Sequence, residues 1–219
     1  MRVPLALGID VGGTNIRLAV VDEQGDIIEN YREQAQLSQH GIDDAAKSAK
    51  RVLDVLAGII RPLLEKHAGI QGIGIGFPGF FDTASGLLLS SPNIPGLLNF
   101  PLGEQLGKRL ACPVHAQNDA SVAALGEFCF GVGQGAFSLL HLTLGTGVGG
   151  GIIIIGQLYG GDGGMAMEVG HLHIVPEDRL CGCGARGCLE TWASATAVAE
   201  RFTVMSGIQA DARAVARLA

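Results

Sequence analysis

Charge is scarce in this chain. Asp, Glu, Lys and Arg make up 16% of the 219 residues, and the formal net charge is -6. A general nucleic-acid binder carries a basic excess, so no nucleic-acid partner is expected. Long unbroken apolar runs are also missing. Residues 128–161 contain no Asp, Glu, Lys or Arg, yet glycines divide the stretch into two short apolar runs. That pattern reads as paired buried strands, and no membrane partner is expected. The start, MRVPLALGID, has an apolar run too short for a secretory signal. The expected compartment is therefore the cytoplasm, where thiols stay reduced. Cysteine is sparse, with five residues in all, and disulfides are a poor explanation for them. No G-x-x-x-x-G-K-[ST] is present, and the GxGxxG-like spacing around Gly145 has no helix after it. P-loop and dinucleotide-binding folds are thus disfavoured.

Hydrophobic residues account for 47% of the chain, ample for a buried core in one large domain or two small ones. Glycine is in excess, 34 of 219, about twice the usual share of roughly 7%. The glycines follow no period and cluster at turns. Residues 3–34 read as a strand–turn–strand–turn–strand meander. A helix is expected over 43–67, capped by Asp43 or Asp44 and kinked or split at Pro62. Short strands are expected at 70–77 and 113–117, and helices at 101–110 and from Ala120 to about Phe128. Two further strands read at 138–145 and 152–159, with the glycine cluster between them. The tail from Glu190 reads as helical, with a break near Ser206-Gly207. The segments around Gly12 and Gly147 share one plan, strand, glycine turn, strand, as a duplicated α/β unit would.

Four groups of residues carry chemistry. In D-V-G-G-T-N, Gly12 and Gly13 allow a tight turn with outward amide hydrogens, Thr14 adds a hydroxyl and Asn15 an amide. Asp10, at a strand end, could hold Mg²⁺ through water. Gly145, Thr146 and Gly147 form a second such turn. An ordinary hairpin explains either turn alone; two facing hairpins suit a polyphosphate. Asn118 and Asp119 end a strand and open a helix. Asp119 could take a proton from an attacking hydroxyl, or could simply cap the helix. Finally, Cys181, Cys183 and Cys188 form C-x-C-x₄-C downstream of His171, a donor set for tetrahedral zinc, with His173 as the alternative nitrogen ligand. Redox thiols or packed cysteines are the rival readings. Cys112 and Cys129 fall in expected core segments.

Taken together, D-V-G-G-T-N-I-R, G-F-P-G, S-P-N-I-P-G-L, Q-N-D-A, L-G-T-G-V-G-G-G, E-V-G-H and C-G-C-G-A-R-G-C-L-E resemble the ROK family of bacterial sugar kinases and repressors. The flavour nearest to PNIPG and the intact cysteine stretch is glucokinase. The resemblance implies an α/β, actin-like ATPase (ribonuclease H-like) fold of two lobes around a cleft. Residues 1–117 would form the small lobe and 118–219 part of the large one. It implies transfer of the ATP γ-phosphate to the 6-hydroxyl of a hexose, with Asp119 as base. Gly79, Asn93, Asn118, Asp119, Glu168, His171 and Glu190 would meet the sugar. Gly12, Gly13, Thr14, Gly145, Thr146 and Gly147 would hold phosphates, and structural zinc would orient His171. Family members run longer, so the C-terminal lobe is expected to be truncated. A sugar-sensing repressor and a zinc-stabilised sugar-binding module without catalysis are the alternatives. A homodimer is the default assembly.

Overall fold

The computed structural model describes residues 4–12, 15–34, 37, 44–94, 96–176 and 179–218. The opening meander is present as β1 (Leu5–Val11), β2 (Asn15–Val21) and β3 (Ile27–Gln34). Alternate residues point to opposite faces of a strand. Leu7, Ile9 and Val11 of β1 and Ile16, Leu18 and Val20 of β2 accordingly enter the core. On the far side of β1, β4 (Ile70–Phe77) and then β8 (Val114–Asn118) pair in parallel. The order is β3-β2-β1-β4-β8.

Between them, β5 (Phe80–Asp82), β6 (Leu87–Ser90) and β7 (Leu98–Phe100) form a separate small antiparallel sheet. Runs of three or four residues are too short to show a period, which is why the sequence pattern did not announce them.

Helix α1 (Ala45–Lys66) is capped by Asp44, whose Oδ1 accepts the N–H groups of Ala46 and Lys47; Asp43 lies outside the described residues. Its buried stripe includes Val52, Leu56, Ile60 and Leu63. Each such side chain contributes roughly 1.5–3 kcal/mol when fully buried. Pro62 does not split the helix. It stands on the exposed side with Gly58 one turn earlier, also exposed, so water can satisfy the carbonyl that loses its partner. Helix α2 (Leu102–Leu110) packs beside α1 and β8. The buried apolar cluster of this region runs from Leu7 to Ala116.

Helix α3 (Asp119–Phe130) then leads to β9 (Leu139–Leu144), β10 (Val148–Ile154) and β11 (Gln157–Leu158). Their order, β11-β10-β9, repeats the antiparallel half of the first sheet. The glycine cluster is mostly strand, a correction to the expected 152–159 element: β10 starts at Val148 and turns at Ile155-Gly156. Both turn residues have positive φ, 51° and 74°, as a two-residue hairpin matched to strand twist requires. Small residues are needed along β10 because α3 lies against it; a Cβ on Gly149 would come within 3.1 Å of the Ala120 methyl.

The remainder holds two 3-10 turns, Asp162–Gly164 and Val169–His171, and helices α4 (Glu190–Ala193), α5 (Ala195–Ser206) and α6 (Ala212–Leu218). Gly207 ends α5 in the left-handed conformation, where the break was expected. Cys129 is exposed rather than in the core, and Cys112 is half-buried. Among the described residues no helix is long and apolar enough to cross a membrane.

Candidate functional site

Asp119 stands where β8 becomes α3. The capping role is filled by its neighbour: Asn118 Oδ1 accepts the Ser121 N–H at 3.0 Å. Asn118 Nδ2 also donates to the Gly79 carbonyl at 3.1 Å. Asp119 is the first helical residue, its Oδ1 accepting the Ala120 N–H at 2.9 Å. Its α-carbon lies above β4, where a Cβ on Gly76 would come within 3.3 Å of it. Burial pushes the Asp119 carboxyl above its ordinary range, and the charge of Asp10 adds to the rise.

Both glycine turns join antiparallel strands. In the first, Gly12 N–H donates to the Asn15 carbonyl at 2.9 Å, just beyond the Val11–Ile16 pair. Gly13 and Thr14 lie outside the described residues. Asp10 faces Arg17 directly across the register, with an ion pair of 3.3 Å. Sequence reasoning missed Arg17, although counting the hairpin register from the glycines would have found it. Asn15 is turned to Arg32, accepting from its Nε at 3.2 Å. In the second turn, Gly145 N–H donates to the Gly147 carbonyl at 2.9 Å. The Ala195 N–H, at the start of α5, donates to the Gly145 carbonyl at 2.8 Å, and the Thr196 hydroxyl to the Thr146 carbonyl at 3.2 Å. The turn is therefore pinned from behind. Thr146 and Glu190 border a cavity of about 570 Å³ together with Thr196 and Glu200.

His171, Cys181, Cys183 and Cys188 come together, with one donor atom from each lying within 4.8 Å of the others. Cys183 and Cys188 sulfurs are 3.8 Å apart, and Cys181 Sγ is 3.6 Å from His171 Nδ1. A tetrahedron with zinc bonds of roughly 2.3 Å to sulfur and 2.0 Å to nitrogen has edges of about 3.5–3.8 Å, so the donor set fits that ion. Burial raises the Cys181 thiol and pushes Cys188 up to about 12, while the Ala185 N–H lowers Cys183. Buried thiolates want a cation beside them. Gly187 has φ 75°, and a Cβ there would overlap the Val175 carbonyl, so the loop closes only with glycine. His173 is exposed and pairs by backbone with Cys188; it is not one of the four donors.

Glu168, one 3-10 turn before His171, has its Oε2 3.9 Å from His171 Nε2. With Nδ1 facing the sulfurs, the far nitrogen is the one turned to the carboxylate. Burial raises Glu168, His171 counters this, and the charges of Asp119 and Glu190 raise it further. The three acids thus share one electrostatic neighbourhood. Glu190 Oε2 accepts the Val148 N–H at 3.0 Å and its Oε1 lies 3.7 Å from Cys181 Sγ. Asn93 stands in an exposed turn between β6 and β7. Met167, which the motifs did not flag, sits next to Glu168 with φ 69°.

An α/β fold with two strand–glycine–strand turns, an acid at a helix start and a Cys₃His cluster beside two glutamates defines a narrow class: the actin-like ATPase fold. The chain belongs to the ROK family, which it matches over residues 6–219. It is 40% identical over 198 residues to a glucokinase of Halalkalibacterium halodurans, covering 90% of this chain and 58% of that protein. It is 35% identical to a xylose repressor of Caldicellulosiruptor bescii, covering 88% of this chain and 47% of that one. A ROK family glucokinase from Streptomyces griseus, solved in complex with glucose and AMPPNP, superposes with a TM-score of 0.73 at 36% identity. That match covers 93% of this chain and 62% of the solved one. The chain spans between 47% and 62% of the length of these relatives.

Proposed function

We propose that this chain carries the hexose-binding and phosphate-binding core of an ATP-dependent sugar kinase, with glucose as the favoured acceptor. The observation that carries the reading is the position of Asp119. Its carboxylate is relieved of capping by Asn118 and held near Asp10 of the first hairpin. The next residue, Ala120, packs toward Gly149 of the second. Residues 1–117 form one lobe in this proposal and 118–219 belong to the other.

In the reaction, the hexose 6-oxygen bonds to the γ-phosphorus, the bond from that phosphorus to the bridging oxygen breaks, and ADP leaves with the electron pair. Asp119 accepts the proton of the 6-hydroxyl. Gly79, Asn93, Asn118, Glu168, His171 and Glu190 position the sugar ring. Gly12, Gly13, Thr14, Gly145, Thr146 and Gly147 belong to the two turns that hold the phosphates in this proposal, and Asp10 and Asn15 stand beside the first turn. Asp10 would help hold Mg²⁺, which would supply charge neutralisation on the phosphates. His171, Cys181, Cys183 and Cys188 would hold a structural zinc that fixes the imidazole's direction.

A coupled assay of ADP release tests the proposal, with glucose, mannose, N-acetylglucosamine and N-acetylmannosamine as acceptors. Turnover is expected with glucose, and Asp119→Asn should remove most of it while glucose binding by calorimetry persists. Undiminished turnover in that variant would end the role given to Asp119. Glucose binding with no ADP release from the unaltered chain would instead favour a sugar-binding module.

A further inference from the structure

The two oxygens of Glu190 serve two different parts of the molecule. Oε2 accepts the backbone N–H of Val148, the first residue of β10 and the closing edge of the second glycine turn. Oε1 lies 3.7 Å from the sulfur of Cys181. Glu190 is also the first residue of α4, two positions after Cys188. The carboxylate therefore spans from the cysteine loop to the turn that holds Gly145, Thr146 and Gly147.

The turn has no slack on this side. A Cβ added to Gly147 would overlap Glu190 Oε2, whereas a Cβ on Gly145 meets nothing within 4 Å. Neither glycine has a positive φ, so alanine is compatible with the backbone at both. The space at Gly147 is taken by the carboxylate.

We infer that Glu190 is a positioning residue that couples the cysteine–histidine cluster to the second phosphate turn, so that the geometry of one sets the geometry of the other. Once Cys181 is a metal-bound thiolate it has no hydrogen to offer Oε1, and the link to the cluster then runs through the chain, because Glu190 opens α4 two residues after Cys188 while its Oε2 stays on Val148. The bond from the Val148 N–H to the Glu190 carboxylate is charge-assisted, so displacing the carboxylate strains both the turn and the cysteine loop. Coupling of this kind is reciprocal: whatever displaces Glu190 from the turn side must be felt on the metal side.

The inference rests on the zinc reading of the four donors, and the test separates the two. The zinc-loaded chain is mixed with a colorimetric chelator, and the rate of metal release is followed for the unaltered chain, Gly147→Ala and Gly145→Ala. Gly147→Ala is expected to release zinc about tenfold faster, which corresponds to roughly 1.4 kcal/mol. Gly145→Ala should match the unaltered chain. Glu190→Asp, one methylene shorter, makes room for the new methyl, so Gly147→Ala should have no added effect in that background. Equal release from the two alanine variants, or an undiminished Gly147→Ala effect with Glu190→Asp, would overturn the coupling. Should Gly147→Ala not fold, Glu190→Gln replaces it, with faster release expected and an unchanged rate overturning the proposal. A chain that takes up no zinc would refute the metal reading itself.

Discussion

The side-chain amide of Asn118 reaches across to the backbone carbonyl of Gly79, with its nitrogen 3.1 Å from that oxygen. One residue thus ties the start of α3 to the loop leaving β4, while its oxygen caps the helix. Asp119 stands next in sequence and is left without a capping duty.

Replacing Asn118 by alanine removes both the cap and the tie. A lost N-cap costs typically about 1 kcal/mol, and a hydrogen bond about another. Asn118→Ala should be destabilised by about 1–2 kcal/mol, read from the denaturant midpoint at constant slope. A shift under a few tenths would mean that the loop and helix hold their places without it.

The surroundings of Asp119 also bear on folding. Its carboxyl is raised in the folded chain, first by burial and then by Asp10. A group raised on folding binds its proton more tightly in the native state. Its stabilising share is full below the unfolded value, about 3.9, and is lost as pH rises through the folded one. Asp119→Asn keeps the bond from Ala120 and removes the charge. It should therefore raise the melting temperature at pH 7.5, and the gain should shrink toward zero near pH 4. A variant less stable than the parent at pH 7.5 would contradict this.

His171 faces two different groups with its two ring nitrogens. Its Nδ1 faces the sulfurs and its Nε2 faces Glu168. His171→Ala should lower zinc content, measured by elemental analysis, and weaken glucose binding in the same preparation. Full sugar affinity alongside lost zinc would show that the imidazole's direction does not matter to the sugar.

Met167 holds a backbone conformation suited to glycine, with φ 69°. The left-handed region costs a side-chain-bearing residue roughly 1–2 kcal/mol, part of which glycine gives back as entropy of the unfolded chain. Met167→Gly should gain about 0.5–1 kcal/mol in chemical denaturation, and the β-branched Met167→Val should lose about 1 kcal/mol or more. Equal stability of the two variants would mean that φ is not what limits this position.

Local pattern carried much of this protein. The alternation of Leu7, Ile9 and Val11, the helical stripe of Val52, Leu56 and Ile60, the glycine turns and the C-x-C-x₄-C spacing all depend on neighbours within a few residues. Strands, the first helices and the metal-donor set were therefore legible before any coordinates. Contacts between distant segments decided the rest. Only packing against α3 turned the glycine cluster into β10, and only solvent on the outer face of α1 let Pro62 pass without splitting it. His171 rather than His173 became the fourth donor because a 3-10 turn aims it inward. The bond from Val148 to Glu190 joins residues far apart in sequence, and no periodicity or spacing encodes it.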